Sequence, residues 1–108
     1  MPDLELREYL DLAGRSPFGR WFARLDAAAA ARVTSALYRM AQGNLSHVKG
    51  VGGGLLELRI DFGPGYRVYL GRRGSTVVIL LGGGSKSRRT ADIGLARSRW
   101  EEFRRRAG

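Results

Sequence analysis

The sequence predicts an α+β fold: a single compact domain with a mainly antiparallel twisted sheet, an N-terminal helical hairpin and a C-terminal helix. Three observations carry this expectation. Apolar residues recur at helical spacing in residues 16–41 and again in residues 93–103, they alternate with period two beyond Val48, and glycine-rich segments punctuate the alternating runs. At 108 residues the chain has the length of one domain with one core, so residues 1–108 are read as a single domain.

Each element has its own signal. Residues 4–12 place apolar side chains at several alternate positions and predict a first strand. Ser16-Pro17 is a helix start, a hydroxyl cap followed by proline at the first helical position, and Phe18, Trp21, Phe22 and Leu25 then share one face. Asp26 caps a second helix over Ala27–Ala41, with Val33, Leu37 and Met40 inward and Gly43-Asn44 as its stop. Two helices in succession predict a hairpin. In Leu56-Glu57-Leu58-Arg59-Ile60-Asp61-Phe62 the alternation is strict and places Glu57, Arg59 and Asp61 on one sheet face. Gly63-Pro64-Gly65 turns the chain into an antiparallel strand, Tyr66–Leu70, on which Arg67 and Tyr69 share a face. After a turn at Gly71-Arg72-Arg73-Gly74, the apolar run Thr76–Leu81 reads as a central strand buried on both sides. Gly52-Gly53-Gly54 and Gly82-Gly83-Gly84 both read as turns. The basic segment Ser85–Arg89 leads into the last helix, with Ile93, Ala96, Trp100 and Phe103 inward. The helices are expected on one face of the sheet, with the other partly open.

Composition narrows the function. Apolar residues make up 44% of the chain and charged ones 27%, ordinary globular usage. The absence of cysteine excludes disulfides, thiolate ligands and a cysteine nucleophile, and is consistent with a reducing cytosol. With one histidine and no carboxylates at metal-ligand spacing, neither a metal nor a cofactor is expected. The longest strongly apolar run, Val77–Leu81, falls far short of the ~20 residues of a spanning helix. The acidic start of the chain is unlike a signal peptide. A cytoplasmic protein without membrane contact is the expectation.

The formal net charge of +9 is uneven: residues 1–48 carry +1 and residues 49–108 carry +8. Such a field concentrates polyanions, RNA foremost. The polar sheet face offers Glu57, Arg59, Asp61, Arg67 and Tyr69, with Lys49 before it and Lys86, Arg88 and Arg89 after the apolar strand. One reading is a solvated face with cross-strand ion pairs. The other is that cations on adjacent strands converge on one phosphate. Metal-free RNA cleavage needs a base for the 2′-hydroxyl, cations for the charge on phosphorus and an acid for the leaving 5′-oxygen. Arg, Lys, Glu and Tyr can supply those roles. His47 reads as a surface loop residue.

The run Gly54-Leu-Leu-Glu57-Leu-Arg59-Ile60, then Gly65-Tyr66-Arg67-Val68-Tyr69, then the apolar strand ending in Gly83-Gly84-Ser85-Lys86-Ser87, resembles the RelE/ParE superfamily of bacterial type II toxins. The resemblance is to its HigB-like branch, the addiction-module killer proteins. Ser16-Pro17-Phe18 with Trp21, Gly43-Asn44 before Lys49-Gly50-Val51-Gly52, and Asp92-Ile93 with Trp100 fit the same branch, so the likeness covers nearly the whole chain. It implies a RelE-like toxin fold and an endoribonuclease (mRNA interferase) acting on mRNA on the ribosome. It also implies a cognate helix-turn-helix antitoxin, HigA-like, through which alone operator DNA is reached.

Carried over by position, the resemblance makes Arg59 a basic active-site residue, Arg67 the holder of the scissile phosphate and Lys86 the basic residue after the apolar strand. Lys49, Arg88 and Arg89 become RNA-binding candidates. Glu57 stands where one well-known pattern has lysine, and either pairs with Arg59 or acts as base. The tyrosine or histidine often found near the start of the last helix is replaced by Arg88-Arg89-Thr90-Ala91-Asp92, which leaves Tyr69 either as the substitute acid/base or as a strand residue packed against the helices. Arg67 is expected to be exposed, so that its removal spares the fold. Arg97, Arg99 and Arg104–Arg106 are expected to hold ribosomal RNA or an acidic stretch of antitoxin. Two alternatives stand beside this reading: a ParE-like inhibitor of DNA gyrase, and a nontoxic RNA- or ribosome-binding protein.

Overall fold

Hydroxyl and carboxylate caps start the first two helices as the sequence predicts: Ser16 Oγ accepts from Gly19 N–H at 2.9 Å, and Asp26 Oδ1 from Ala29 N–H at 2.8 Å. The computed structural model describes residues 3–107. Its elements run β1 (Glu5–Glu8), α1 (Pro17–Ala23), α2 (Ala27–Ala41), β2 (Val48–Gly50), β3 (Leu55–Ile60), β4 (Tyr66–Arg73), β5 (Val77–Ser85) and α3 (Arg89–Ala107), with a 3₁₀ turn over Lys86–Arg88 before α3. They form one α+β domain around a mixed sheet of order β1-β5-β4-β3-β2. Strand β1 is parallel to β5; the other pairs are antiparallel. None of the described helices is long and apolar enough to cross a membrane.

Four expectations change. The first strand is only Glu5–Glu8, because the Asp11 carboxylate accepts from the N–H groups of Ala13 and Arg15, each at 2.9 Å, and turns the chain away. Helices α1 and α2 do not form a clear hairpin; α1 packs across β5 and α2 over β3.

The third change concerns the faces. Leu58, Ile60, Val68, Leu70, Val78 and Leu80 meet Phe18 of α1 and Val33 and Met40 of α2. On the opposite face Leu55, Tyr69, Ile79 and Leu81 meet Ala96 and Trp100 of α3. Helices therefore cover both faces, because the apolar stripe of α3 needs a surface of its own to bury.

Fourth, Gly82-Gly83-Gly84 is not a turn but the second half of β5. The register against β4 shifts at this point, from Tyr69↔Gly82 to Leu70↔Leu80, leaving one extra residue on β5. Beyond the shift the strand is bare because helices from both sides lean on it. A Cβ on Gly83 would lie 2.3 Å from the Trp21 ring, and one on Gly84 would lie 1.8 Å from Asp92 Oδ2. The preceding turn is likewise tighter than predicted, since β4 runs on to Arg73.

Gly71 repeats the arrangement under α3, where a Cβ would meet the Trp100 ring at 2.4 Å. Gly71→Ala and Gly83→Ala are each expected to lower stability by about 1–3 kcal/mol through overpacking. Gly94→Ala, at an exposed helical site with nothing within 4 Å, is expected to raise it by about 0.5–1 kcal/mol. Urea unfolding midpoints of the three variants give the comparison.

Candidate nucleic-acid interface

Antiparallel pairing of β3 with β4 sets Arg59 directly opposite Arg67. Like charges opposite each other are unfavourable unless an anion lies nearby. Next to this pair the chain turns at Gly65, whose φ of +81° suits glycine and whose carbonyl accepts from Lys86 N–H at 2.8 Å. A Cβ on Gly65 would sit 3.4 Å from Lys86 Cβ and 3.5 Å from Arg67 Nη1. The bare turn thus lets the two cationic side chains draw together. Arg59, Arg67 and Lys86 line one open cleft of about 510 Å³, together with Asp61, Phe62 and the 63–65 turn. Arg59 Nε lies 3.6 Å from Asp61 Oδ1, and both side chains are largely exposed.

Arg67 is not the exposed residue expected. Only 7% of it is accessible, because it lies on the central strand and α3 closes over that face. Its Nη1 donates to the Tyr66 carbonyl at 3.3 Å, while Nε has no hydrogen-bond partner among the described residues. Removing its side chain therefore disturbs packing as well as the cleft.

A buried carboxylate makes this tolerable. Glu57, 1% exposed, receives Arg89 Nε at 2.9 Å and Nη2 at 3.4 Å, with Arg67 Nε and Lys49 Nζ each 3.9 Å from its Oε1. Arg59 is not its partner; Arg59 pairs with Asp61. The hydrogen bond and charge of Glu57 raise the Arg89 pKa further.

Tyr69 is the cross-strand neighbour of Glu57 and is 1% exposed. Burial, followed by the negative charge of Glu57, pushes its pKa well above the ordinary 10.0. Its hydroxyl lies near Glu57 but makes no well-formed hydrogen bond among the described residues.

The candidates thus divide. Arg59, Arg67 and Lys86 come together in the cleft. Glu57, Tyr69, Lys49 and Arg89 form a linked layer beside it, with Glu57 and Tyr69 closed off from solvent. Arg88 is exposed and lines a separate recess with Trp21, Tyr66 and Asp92. The cleft carboxylate is Asp61, and the strict alternation Glu57-Arg59-Asp61 was the signal for it. Burial raises the Asp92 pKa, and its Oδ2 has no hydrogen-bond partner among the described residues. His47 is exposed, as expected.

Several arginines of α3 make backbone contacts, while Arg104, Arg105 and Arg106 stay exposed. Arg97 donates to the Val51 carbonyl at 2.7 Å, Arg99 to Leu81 at 3.1 Å and Arg106 to Leu10 at 2.7 Å. Arg104 lies over the Trp100 ring, 5.4 Å from its centroid.

In comparison with known proteins, the chain is 43% identical over 77 residues to an uncharacterized protein of Haemophilus influenzae, spanning 70% of this chain and 78% of that protein. The chain belongs to that protein's family. No family model matches it.

Two measurements test the layer beside the cleft. Glu57→Ala is expected to cost about 2–3 kcal/mol, less than a fully enclosed ion pair because Lys49 and Arg89 retain water, with Glu57→Gln costing less. Chemical unfolding measures both. For Tyr69, the folded state holds the phenolic proton more tightly than the unfolded chain. Its contribution is complete below pH 10 and is lost as pH rises through the higher folded value. Tyr69→Phe should therefore flatten the alkaline fall of stability, read from unfolding midpoints above pH 10.

Proposed function

We propose that the chain is the toxin of a type II toxin–antitoxin system, of the RelE/ParE superfamily and its HigB-like branch. Its activity in this reading is metal-independent, ribosome-dependent cleavage of mRNA. A HigA-like helix-turn-helix antitoxin neutralises it and carries the complex to operator DNA, and both act in the cytoplasm. The observation that carries the reading is the convergence of Arg59, Arg67 and Lys86 on one cleft that also holds a carboxylate.

The chemistry follows from those groups. Arg67 and Arg59 hold the non-bridging oxygens of the scissile phosphate and offset the charge gained as phosphorus becomes pentacoordinate. As Arg59 turns to the phosphate, Asp61 is released to accept the 2′-hydroxyl proton while the 2′-oxygen bonds to phosphorus. Lys86 gives a proton to the 5′-oxygen as its bond to phosphorus breaks. The products are a 2′,3′-cyclic phosphate and a 5′-hydroxyl. Glu57 serves by holding Arg67 and Arg89 in place, and Tyr69 by filling the space beneath α3.

Induction of the chain in cells, followed by mapping of transcript ends, tests the activity; growth arrest with intact messages would overturn it. Lys86→Ala, at an exposed site, should leave the melting curve unchanged and reduce cleavage by about 10²–10³-fold. Arg67→Lys keeps the charge but loses the guanidinium fork, and should reduce cleavage while largely preserving the fold.

One observation favours a second reading, inhibition of DNA gyrase by protein contact. Among the described residues neither an imidazole nor a phenol lines the cleft, and its carboxylate is already paired with Arg59. DNA breakage with intact transcripts is the signature of that activity.

A further inference from the structure

A second groove, of about 330 Å³, opens between α2 and the end of β3. Arg32, Ser35 and Arg39 of α2 form one wall, and His47 also lines the groove. The other wall is Arg59, Asp61 and Phe62, which also belong to the cleft of Arg67 and Lys86. The two depressions therefore share a side and run on from one another.

Three features give this groove a chemistry. Arg32 and Arg39 are exposed, lie two helical turns apart on the same face of α2, and make no salt bridge among the described residues. Between them α2 contributes only the small residues Ser35 and Ala36 to the groove lining, which Ile60 of β3 completes. The Arg32 guanidinium lies over the Phe62 ring, 4.7 Å from its centroid, an arrangement in which a base can take the place of the cation on the ring face.

We propose that the groove is a second phosphate site, and that a single RNA strand runs through both depressions. One phosphate lies at Arg59, Arg67 and Lys86, a neighbouring phosphate at Arg32 and Arg39, and the base between them rests on Phe62. This rests on the reading of the first cleft as an RNA site and extends it to a track of several nucleotides. An extended strand fits better than an acidic peptide because the shared wall pairs a cation with an aromatic face, the alternation that a nucleotide backbone and base present.

The test uses the full chain and fluorescent 2′-O-methyl RNA, which lacks the attacking hydroxyl, with binding followed by anisotropy over a salt series. The double variant Arg32→Gln/Arg39→Gln alters exposed side chains, and its melting curve confirms folding. It should bind a hexanucleotide at least about 10-fold more weakly, with the slope of log K against log salt reduced by about 1.4, the value for two lost contacts to a single strand. A dinucleotide, too short to span the track, should bind variant and parent alike.

Unchanged hexanucleotide affinity in the double variant, alongside weakened binding by Arg67→Lys, overturns the second site and leaves the cleft standing. Unchanged binding by both variants removes the first reading together with the track. Loss of affinity for a polyglutamate peptide with RNA binding intact overturns the proposal in favour of an acidic protein partner.

Discussion

The carboxylate of Glu57 is the interaction on which the arrangement of the cleft depends. It lies buried in the half of the chain that carries nearly all the excess positive charge. Three cations from β2, β4 and α3 gather at its two oxygens. Without a negative centre they would repel one another, and a guanidinium on the middle strand of a covered sheet would be too costly to bury. With it, Arg67 is fixed beneath α3 while its lining of the cleft is retained. The same carboxylate ties the first turn of α3 to β3 through Arg89, so the helix and the cleft are positioned together.

From that anchor the rest of the cleft follows by geometry. Antiparallel register places Arg59 across from Arg67, and the turn at Gly65 brings the end of β5 back beside them with Lys86. The charge of the chain is then of two kinds. Arg97, Arg99 and Arg106 are held by backbone carbonyls at Val51, Leu81 and Leu10, the second being the extra residue of β5. Arg32, Arg39, Arg59 and Lys86 face the grooves. A basic chain of this size uses part of its arginine as fastening, and Arg106 does so while staying exposed.

Much of this was legible in the residues themselves. Strict alternation in Leu56–Phe62 placed Glu57, Arg59 and Asp61 on one face, and Ser16 and Asp26 marked two helix starts by the chemistry of their side chains. The resemblance brought forward Arg59, Arg67 and Lys86, which the fold gathers. What stayed hidden depends on distant contacts. A triplet of glycines looks the same in a turn as in a strand pressed by Trp21 on one side and Asp92 on the other. Likewise the burial of Arg67, Tyr69 and Glu57 depends on α3 covering the second face, a tertiary outcome that periodicity within β3 and β4 does not contain.

The extra residue in β5 divides that strand into two parts with different obligations. Pairing with β1 ends at Leu80, just where the register against β4 slips, so the first half answers to the sheet edge and the second half to the cleft. A bulge bends its strand and sharpens the local twist at the point where pairing with β1 ends, and just past the glycine half Lys86 N–H bonds the Gly65 carbonyl. It also acts as a joint. A change in length upstream can be taken up at Leu81 while the pairing of Gly82–Ser85 with Tyr66–Tyr69 is kept. The position of Lys86 against Arg67 is therefore set by pairing with β4 and not by the edge strand β1.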